Sequence, residues 1–352
     1  MKIAVLGGGM VGSLIATELS NDYDVTVFDN SHLDLRNVKT VIRDVTQEEF
    51  RKEITDYNIA INCLPGFMGF NMLKTLVSLN VPCVDISFMP EDCLVLAKKA
   101  ENGKCTVVPD AGVAPGLSNL IVGNIISKNK VKNVKIMVGG LPKKKNPPWN
   151  YRAPFSPIDV IEEYTRPARI KNNNEVVVKE ALSDIQSFEV EGIGELEAFL
   201  TDGLRTLLNS NKKISQVPNF SEYTIRYPGH ADLVRKLIEN GDFSEEKREE
   251  TCQELFEHWK LTDEDEFTFM LIVATIEDGK EISYTVYDER TDGWSSMSRT
   301  TGLTACAFTE LLISKNMLTK GMQCPEVLGM NEENYNFVIE YLIEKGIVIK
   351  SH

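Results

Sequence analysis

Apolar residues fall in two textures along this chain. From Lys2 to Asp110, short and nearly continuous apolar runs alternate with stretches of helical periodicity. That is the pattern of a parallel sheet wound with crossover helices and covered on both faces. The runs predict six strands, Lys2–Leu6, Asp24–Phe28, Val38–Ile42, Asn58–Cys63, Pro82–Ile86 and Cys105–Val108. Thr46-Gln47-Glu48-Glu49 has the spacing of a capping box and predicts a helix starting there. Beyond Pro115 the strands lengthen and alternate, as in Val131–Val138 and Glu266–Ile276, and Glu277-Asp278-Gly279-Lys280 reads as a hairpin turn, so a mainly antiparallel or mixed sheet is expected. After Gly302 helical spacing returns, with Leu303, Ala307, Leu311 and Leu312 on one face and a final apolar run at Ile347–Ile349.

At 352 residues the chain is long for a single core, which favours two domains. Its formal charge of −14 opposes binding to nucleic acid or anionic membranes, and Lys143-Lys144-Lys145 is too short a run to override it. Seven widely spaced cysteines without a C-x-x-C argue against a disulfide framework and point to a reducing cytoplasm; the His and Cys residues lack ligand spacing, so no metal is expected. The apolar stretch after Lys2 has the look of a secretory signal, but Gly7-Gly8-Gly9 within it and the acidic turn after it predict a folded strand–turn–helix. No apolar run reaches the roughly 20 residues a bilayer span needs.

Gly7-Gly8-Gly9-Met10-Val11-Gly12 follows the first strand and opens a helix, giving G-x-G-x-x-G with Gly7, Gly9 and Gly12 at the key places. Gly7 permits the tight turn, Gly9 the approach of a pyrophosphate, and Gly12 the close packing of helix on sheet. Asp29, at the end of the second strand, is placed to accept both ribose hydroxyls and to repel an additional phosphate. With Asn30 and Ser31 beside it, NAD is favoured over NADP, while Arg36 leaves NADP tolerable. Cys63, Leu64 and Pro65 end the fourth strand and border the path of the nicotinamide ribose or form a plain strand-to-helix turn; Met10, Val11, Asn30, Asp44 and Ser87 complete the expected cofactor contacts. The fold class is therefore α/β: a Rossmann dinucleotide-binding domain over 1–115, a second α/β substrate domain over 116–301, and a helical tail, 302–352, packing at least partly back on the first.

A further set of motifs is specific in its order. Asp110-Ala111-Gly112-Val113-Ala114-Pro115-Gly116-Leu117-Ser118 leaves the last strand; Gly139-Gly140-Leu141-Pro142, Ser156-Pro157-Ile158-Asp159, Glu163-Tyr164-Thr165-Arg166-Pro167-Ala168, Phe199-Leu200-Thr201-Asp202-Gly203 and Arg226-Tyr227-Pro228-Gly229-His230 follow. With the glycine loop, the set resembles the saccharopine dehydrogenase family over nearly the whole chain, and within it looks most like the L-lysine 6-dehydrogenases. The resemblance implies a homodimer and oxidation of L-lysine at its terminal amine to the 6-semialdehyde, which cyclises to a piperideine carboxylate. Saccharopine reductases carry Asp before the Pro-Gly and Cys before the Gly-Gly-Leu-Pro, where this chain has Ala114 and Val138. Saccharopine oxidation is the alternative activity, and a silent NAD-binding regulator the alternative outside enzymes.

Amine oxidation needs a group to take the substrate's proton, since a primary amine of pKa near 10.4 must be neutral before hydride leaves. Asp110 is the first candidate, with helix capping as its other reading; His230, before a helical pattern, is the second, and it too reads equally as a cap. For the substrate carboxylate, Arg226 offers a bidentate cation, with Arg166 behind it. Thr300 and Thr301, ahead of Gly302, serve as hydroxyl donors to the same carboxylate or as a helix cap, and Tyr227 supplies a hydroxyl or an apolar wall.

Overall fold

The structure is a computed structural model that describes residues 1–153 and 156–352. Its contacts divide the chain into two units, each built from separate segments: Met1–Lys128, Arg205–Ile214 and Ser298–Ile347 make the first, and Asn129–Leu204, Ser215–Met297 and Val348–His352 the second. The first unit thus runs through the helix Leu117–Lys128 instead of stopping at 115, and takes a short piece from the middle of the chain.

Among the described residues the first unit holds six strands: β1 (Lys2–Leu6), β2 (Asp24–Asp29), β3 (Lys39–Ile42), β4 (Ile59–Asn62), β5 (Cys83–Asp85) and β6 (Val107–Val108). They pair in parallel in the order β3-β2-β1-β4-β5-β6, the doubly wound arrangement predicted from the alternating runs. β1 and β4 are buried almost throughout because helices cover both faces. Ala4, Leu6, Phe28, Ala60, Leu73 and Leu76 lie at the centre of the core on one face.

The expected capping box does not form. Asp44 Oδ1 accepts from the Thr46 amide and hydroxyl at 2.9 and 2.6 Å, and its Oδ2 accepts from Gln47 Nε2, so Thr46 is drawn into a turn on Asp44 and the helix starts at Glu48 with no side-chain cap. Aspartate, with its short side chain, competes for the local amide more effectively than the downstream helix does.

In the second unit a mixed sheet runs β10 (Gln186–Val190), β11 (Gly194–Leu200), β12 (Asn219–Arg226), β7 (Val131–Pro142), β13 (Glu266–Ile276), β14 (Glu281–Glu289) and β15 (Val348–Ser351). The hairpin β8 (Ala168–Asn172) and β9 (Glu175–Lys179) joins it through β12. Only the β12–β7 pair among these is parallel. β13 and β14 are joined by the predicted turn, with Gly279 at φ +85°. β7 runs past Val138 to Pro142, carrying Gly139-Gly140-Leu141-Pro142 inside the strand. A Cβ on Gly139 would lie 2.4 Å from the Ile225 carbonyl oxygen, so the strand continues past β12 only because that atom is absent.

The tail differs from expectation at its start and its end. The helix runs Ser296–Ser314, so Thr300, Thr301 and Gly302 lie inside it and neither threonine caps it. Within the first unit, Gly302 faces Leu14 and Ile15 of the helix Met10–Leu19, where a Cβ would approach to 2.9 and 3.3 Å. Its role is close helix packing, and no break occurs there. At the far end the chain turns to strand, and β15 pairs with β14.

Gly139→Ala is expected to lower stability by about 1–3 kcal/mol by forcing β7 off β12. A denaturant midpoint, compared with that of the parent, checks it.

Candidate functional site

The glycine loop sits at the carboxyl end of β1. Gly7, at φ +93°, accepts a conformation that a side chain would strain, and a Cβ on Gly12 would lie 2.0 Å from the Gly7 carbonyl oxygen. Gly9 has open space where its Cβ would project, and it begins the helix Met10–Leu19 with no side chain capping the first amides. Exposed Met10 and half-buried Val11 form the first turn. An uncapped helix N-terminus approached over a bare glycine fits a pyrophosphate.

Asp29 closes β2. Its Oδ2 accepts from the Gly8 amide at 2.8 Å and its Oδ1 from the Ser31 amide and hydroxyl at 2.9 and 2.7 Å. Partial burial by itself would raise this carboxyl, but those bonds, with the Asn30 amide, hold it below the usual range and therefore charged. Asn30 and Asp44 are exposed. Leu64 lines a groove of about 410 Å³ in which apolar Val45, Phe67 and Met68 stand beside Arg51, Asn71, Lys74 and Lys99, and Pro65 precedes the helix Gly66–Leu79. Burial pushes the Cys63 thiol up, keeping it neutral. These residues fit a dinucleotide.

Polar side chains gather where β4, β5 and β6 end. Asp85 accepts from the Ser87 amide and hydroxyl at 2.8 and 2.5 Å and from Asn62 Nδ2 at 2.7 Å. Burial pushes its carboxyl up to about 7 against those bonds, with the charge of Asp110 adding to the rise. Asp110 is 2% exposed and sits at φ +52°. It does not cap the helix Leu117–Lys128, whose first amide donates to the Gly112 carbonyl. Its Oδ1 instead accepts from Arg205 Nε at 3.0 Å, and Arg205 also donates to the Met89 carbonyl. Asp110 Oδ2 and Asn62 Oδ1 are buried acceptors without a hydrogen-bond donor. Thr301 packs on the same loop, its Cγ2 3.2 Å from where a Gly112 Cβ would be. Sequence spacing does not mark Arg205, Asp85 or Asn62; Arg205 follows the Phe199–Gly203 stretch by two residues, but no local spacing links it to Asp110.

The second unit gathers another buried set. Arg226 Nε donates to the Tyr164 hydroxyl at 2.9 Å, which lies 2.9 Å from His230 Nε2, while His230 Nδ1 lies 2.9 Å from the Trp149 carbonyl oxygen. A carbonyl only accepts, so Nδ1 carries the proton and Tyr164 donates to Nε2. Burial, with the Arg226 charge adding, holds the imidazole down to about 3. Arg226 also donates to Glu163 at 2.6 Å and lies 4.1 Å over the Tyr151 ring. Gly229 and Ala231 donate to Glu197, so that carboxylate, and not His230, closes the start of the helix His230–Glu239. Arg166 pairs with Glu162, and the Tyr227 hydroxyl donates to the Pro142 carbonyl at 3.0 Å. The structure thus brings His230 and Arg226 together, and separately Asp110 and Thr301.

Asp85 has a consequence for stability. Unfolded, its carboxyl ionises near 3.8; folded, near 7, so the folded state holds the extra proton between those values and stability falls as pH rises through that window. Asp85→Asn is expected to gain roughly 2–3 kcal/mol on the parent between pH 5 and pH 8. Denaturant midpoints at both pH values check it, and a gain that does not change with pH would sink the assignment.

No His, Cys, Asp or Glu cluster among the described residues could hold a metal, and no helix among them is long and apolar enough to cross a membrane. Residues 3–108 match the saccharopine dehydrogenase NADP binding domain and residues 112–347 the saccharopine dehydrogenase C-terminal domain. The chain is 23% identical over 228 residues to the alpha-aminoadipic semialdehyde synthase of Arabidopsis thaliana, covering 60% of this chain, and 24% identical over 193 residues to the mitochondrial one of Mus musculus, covering 50%. Each match spans 21% of the relative, about a fifth of its length. Apo saccharopine dehydrogenase (L-Glu forming) from Saccharomyces cerevisiae superposes with a TM-score of 0.79 at 17% identity, over 100% of this chain and 99% of that one, and so shares the fold. With both domains matched in order along almost its whole length, the chain belongs to the saccharopine dehydrogenase family of oxidoreductases.

Proposed function

We propose that the protein is an NAD-dependent dehydrogenase acting on the carbon that bears a primary amine in a small amino acid, with the terminal amine of L-lysine favoured. The reaction consumes the ammonium form of the amine, NAD and water, and yields the 6-semialdehyde, ammonium, NADH and one proton. The observation that carries this reading is Asp110: a buried carboxylate at the carboxyl edge of the dinucleotide sheet, with one oxygen held by Arg205 and the other without a donor.

NAD, when bound, supplies the hydride acceptor. The chain's part is to hold and deprotonate the amine. Asp110 Oδ2 is an open acceptor for an N–H of the substrate ammonium and takes its proton, while Arg205 keeps the carboxylate from rotating away. Thr301, against the same loop, offers a hydroxyl to the substrate. His230 and Arg226, whose polar atoms already bind one another through Tyr164, enter as groups that order the second unit. Asp29, held ionised, favours NAD by repelling an extra phosphate on the ribose. The matched domain is described as NADP binding, which makes cofactor choice a matter for direct test.

Saccharopine oxidation is the second reading, favoured by the saccharopine dehydrogenase description of both matched domains. The absence of the reductases' Asp and Cys, replaced here by Ala114 and Val138, weighs against it.

NADH formation with NAD or NADP across L-lysine, saccharopine, L-ornithine and L-arginine at mildly alkaline pH decides between them. Lysine turnover with ammonia release is expected; turnover of saccharopine alone would move the protein to the second reading, and NADH binding without any turnover would favour a regulator. Asp110→Asn is expected to lower kcat/KM by about 10²-fold or more while NADH affinity changes little. Asp29→Ala combined with Asn30→Arg is expected to turn the preference toward NADP, read as the ratio of kcat/KM for the two cofactors.

A further inference from the structure

The pairing of Asp110 with Arg205 joins residues 95 apart in sequence, both on left-handed backbone, at φ +52° and +51°. Aspartate tolerates this conformation, but arginine adopts it rarely, so something must hold the Arg205 backbone in place against the Asp110 loop. The hydrogen bonds around them lead to Glu326, a fully buried carboxylate from the C-terminal segment. Its Oε2 accepts from Asn119 Nδ2 at 3.2 Å and from the Thr206 hydroxyl at 3.1 Å. Asn119 Nδ2 also lies 3.3 Å from the Thr206 hydroxyl oxygen, and its Oδ1 accepts from the Gly116 amide at 3.4 Å. One end of this network therefore sits next to Arg205 in the chain and the other at the end of the loop that begins with Asp110.

The carbon skeleton around Glu326 is fixed as closely. A Cβ on Gly123 would lie 2.0 Å from the Glu326 carbonyl oxygen, and one on Gly329 would lie 2.0 Å from that of Leu120. Asn124 Nδ2 donates to the Gly329 carbonyl at 3.3 Å. The helices Leu117–Lys128 and Pro325–Gly329 thus meet backbone to backbone, and the Glu326 side chain has little freedom to move relative to Asn119. Burial raises its carboxyl, opposed by the bonds from Asn119 and Thr206 to Oε2, while Oε1 is buried without a donor. A buried carboxylate with this set of donors is retained at a cost in desolvation, which a purely apolar contact would not carry.

We propose that Glu326 is a positioning residue: by gathering Asn119 and Thr206 it holds the Asp110 loop and the Arg205 segment in the register in which Asp110 meets its guanidinium partner and keeps Oδ2 turned to the substrate amine. The inference rests on the reading of Asp110 as the group that meets that amine. Glu326 acts through Asn119 and Thr206, on the segments that carry Asp110 and Arg205.

The test uses the full chain with Glu326→Ala, Glu326→Gln and Thr206→Val, the last keeping a folded variant in hand if the alanine fails to fold. Amide hydrogen exchange is read on segments 110–118 and 203–210, with 7–19 in the glycine loop and its helix as the internal reference. Glu326→Ala and Thr206→Val are expected to speed exchange roughly tenfold in the first two segments and leave the third unchanged. With lysine as substrate, kcat is expected to fall ten- to a hundredfold with KM for NAD unaltered. Glu326→Gln, whose amide oxygen still accepts from Asn119 and Thr206, is expected to recover most of the loss.

Exchange that rises everywhere together, or stays unchanged in both segments of a folded variant, would overturn the proposal, as would a glutamine variant as damaged as the alanine. If the parent protein oxidises no amine, the reading of its function fails while the exchange measurement still decides whether Glu326 positions the two segments.

Discussion

Withdrawing a carboxylate and a guanidinium from water together is the constraint on which the first unit depends. The Asp110 and Arg205 side chains are 1% and 2% exposed, and at that depth either one without the other would be an uncompensated charge. The pair therefore fixes where three stretches of chain must lie: the loop leaving β6, the segment around Arg205, and the Met89 carbonyl to which the guanidinium also donates. The parallel sheet supplies the frame, since the carboxyl ends of β4, β5 and β6 bring Asn62, Asp85 and the Asp110 loop to one edge. What the pair leaves over at that edge is a buried carboxylate oxygen with no donor of its own.

The second unit gathers many of its buried polar groups into pairs, while the Tyr151 hydroxyl and Trp259 Nε1 stay buried without a hydrogen-bond partner. On the face of β12 that carries Glu222, Thr224 and Arg226, Glu222 accepts from Thr201 and Arg226 binds Glu163 and Tyr164. Burial raises Glu222 to about 8, so its proton stays with it near neutrality. Two other carboxylates of the sheet close helix starts: Glu197 accepts from Gly229 and Ala231, and Glu266 from the Ser296 amide and hydroxyl. Because each donor and acceptor has one consistent direction, the chain from Arg226 through Tyr164 to His230 and Trp149 admits a single imidazole tautomer.

The parts of this architecture that were legible in the sequence are those set by near neighbours. β1 and β13 begin and end where their apolar patterns do, and the glycine loop follows directly from spacing, because strand, turn and helix are decided within a few residues. Thr46 shows the limit even of local signals: the capping-box spacing was present, yet Asp44 two residues earlier offered its hydroxyl and amide a nearer acceptor. Gly302 reads in sequence as a helix boundary because a glycine that serves packing against Leu14 and Ile15 looks there like a glycine that serves a turn. Asp110 could be named from its position after the sixth strand, but Arg205 and Glu326 could not, since their partners are 95 residues and more away and carry no period or motif. His230 and Arg226 were noticed for their chemistry; that they are joined through Tyr164 is knowledge only the fold contains.

The order in which these partners leave the ribosome gives the ion pair a temporal meaning. Asp110 is synthesised 95 residues before Arg205, and Thr206 another 120 before Glu326. At about 5–20 residues per second, the nascent nucleotide sheet waits roughly 5–20 s for its cation and about as long again for the carboxylate that gathers the network. The six strands of the parallel sheet come from the first 108 residues, but its carboxyl edge gains the last of these buried partners only once Glu326 has been made.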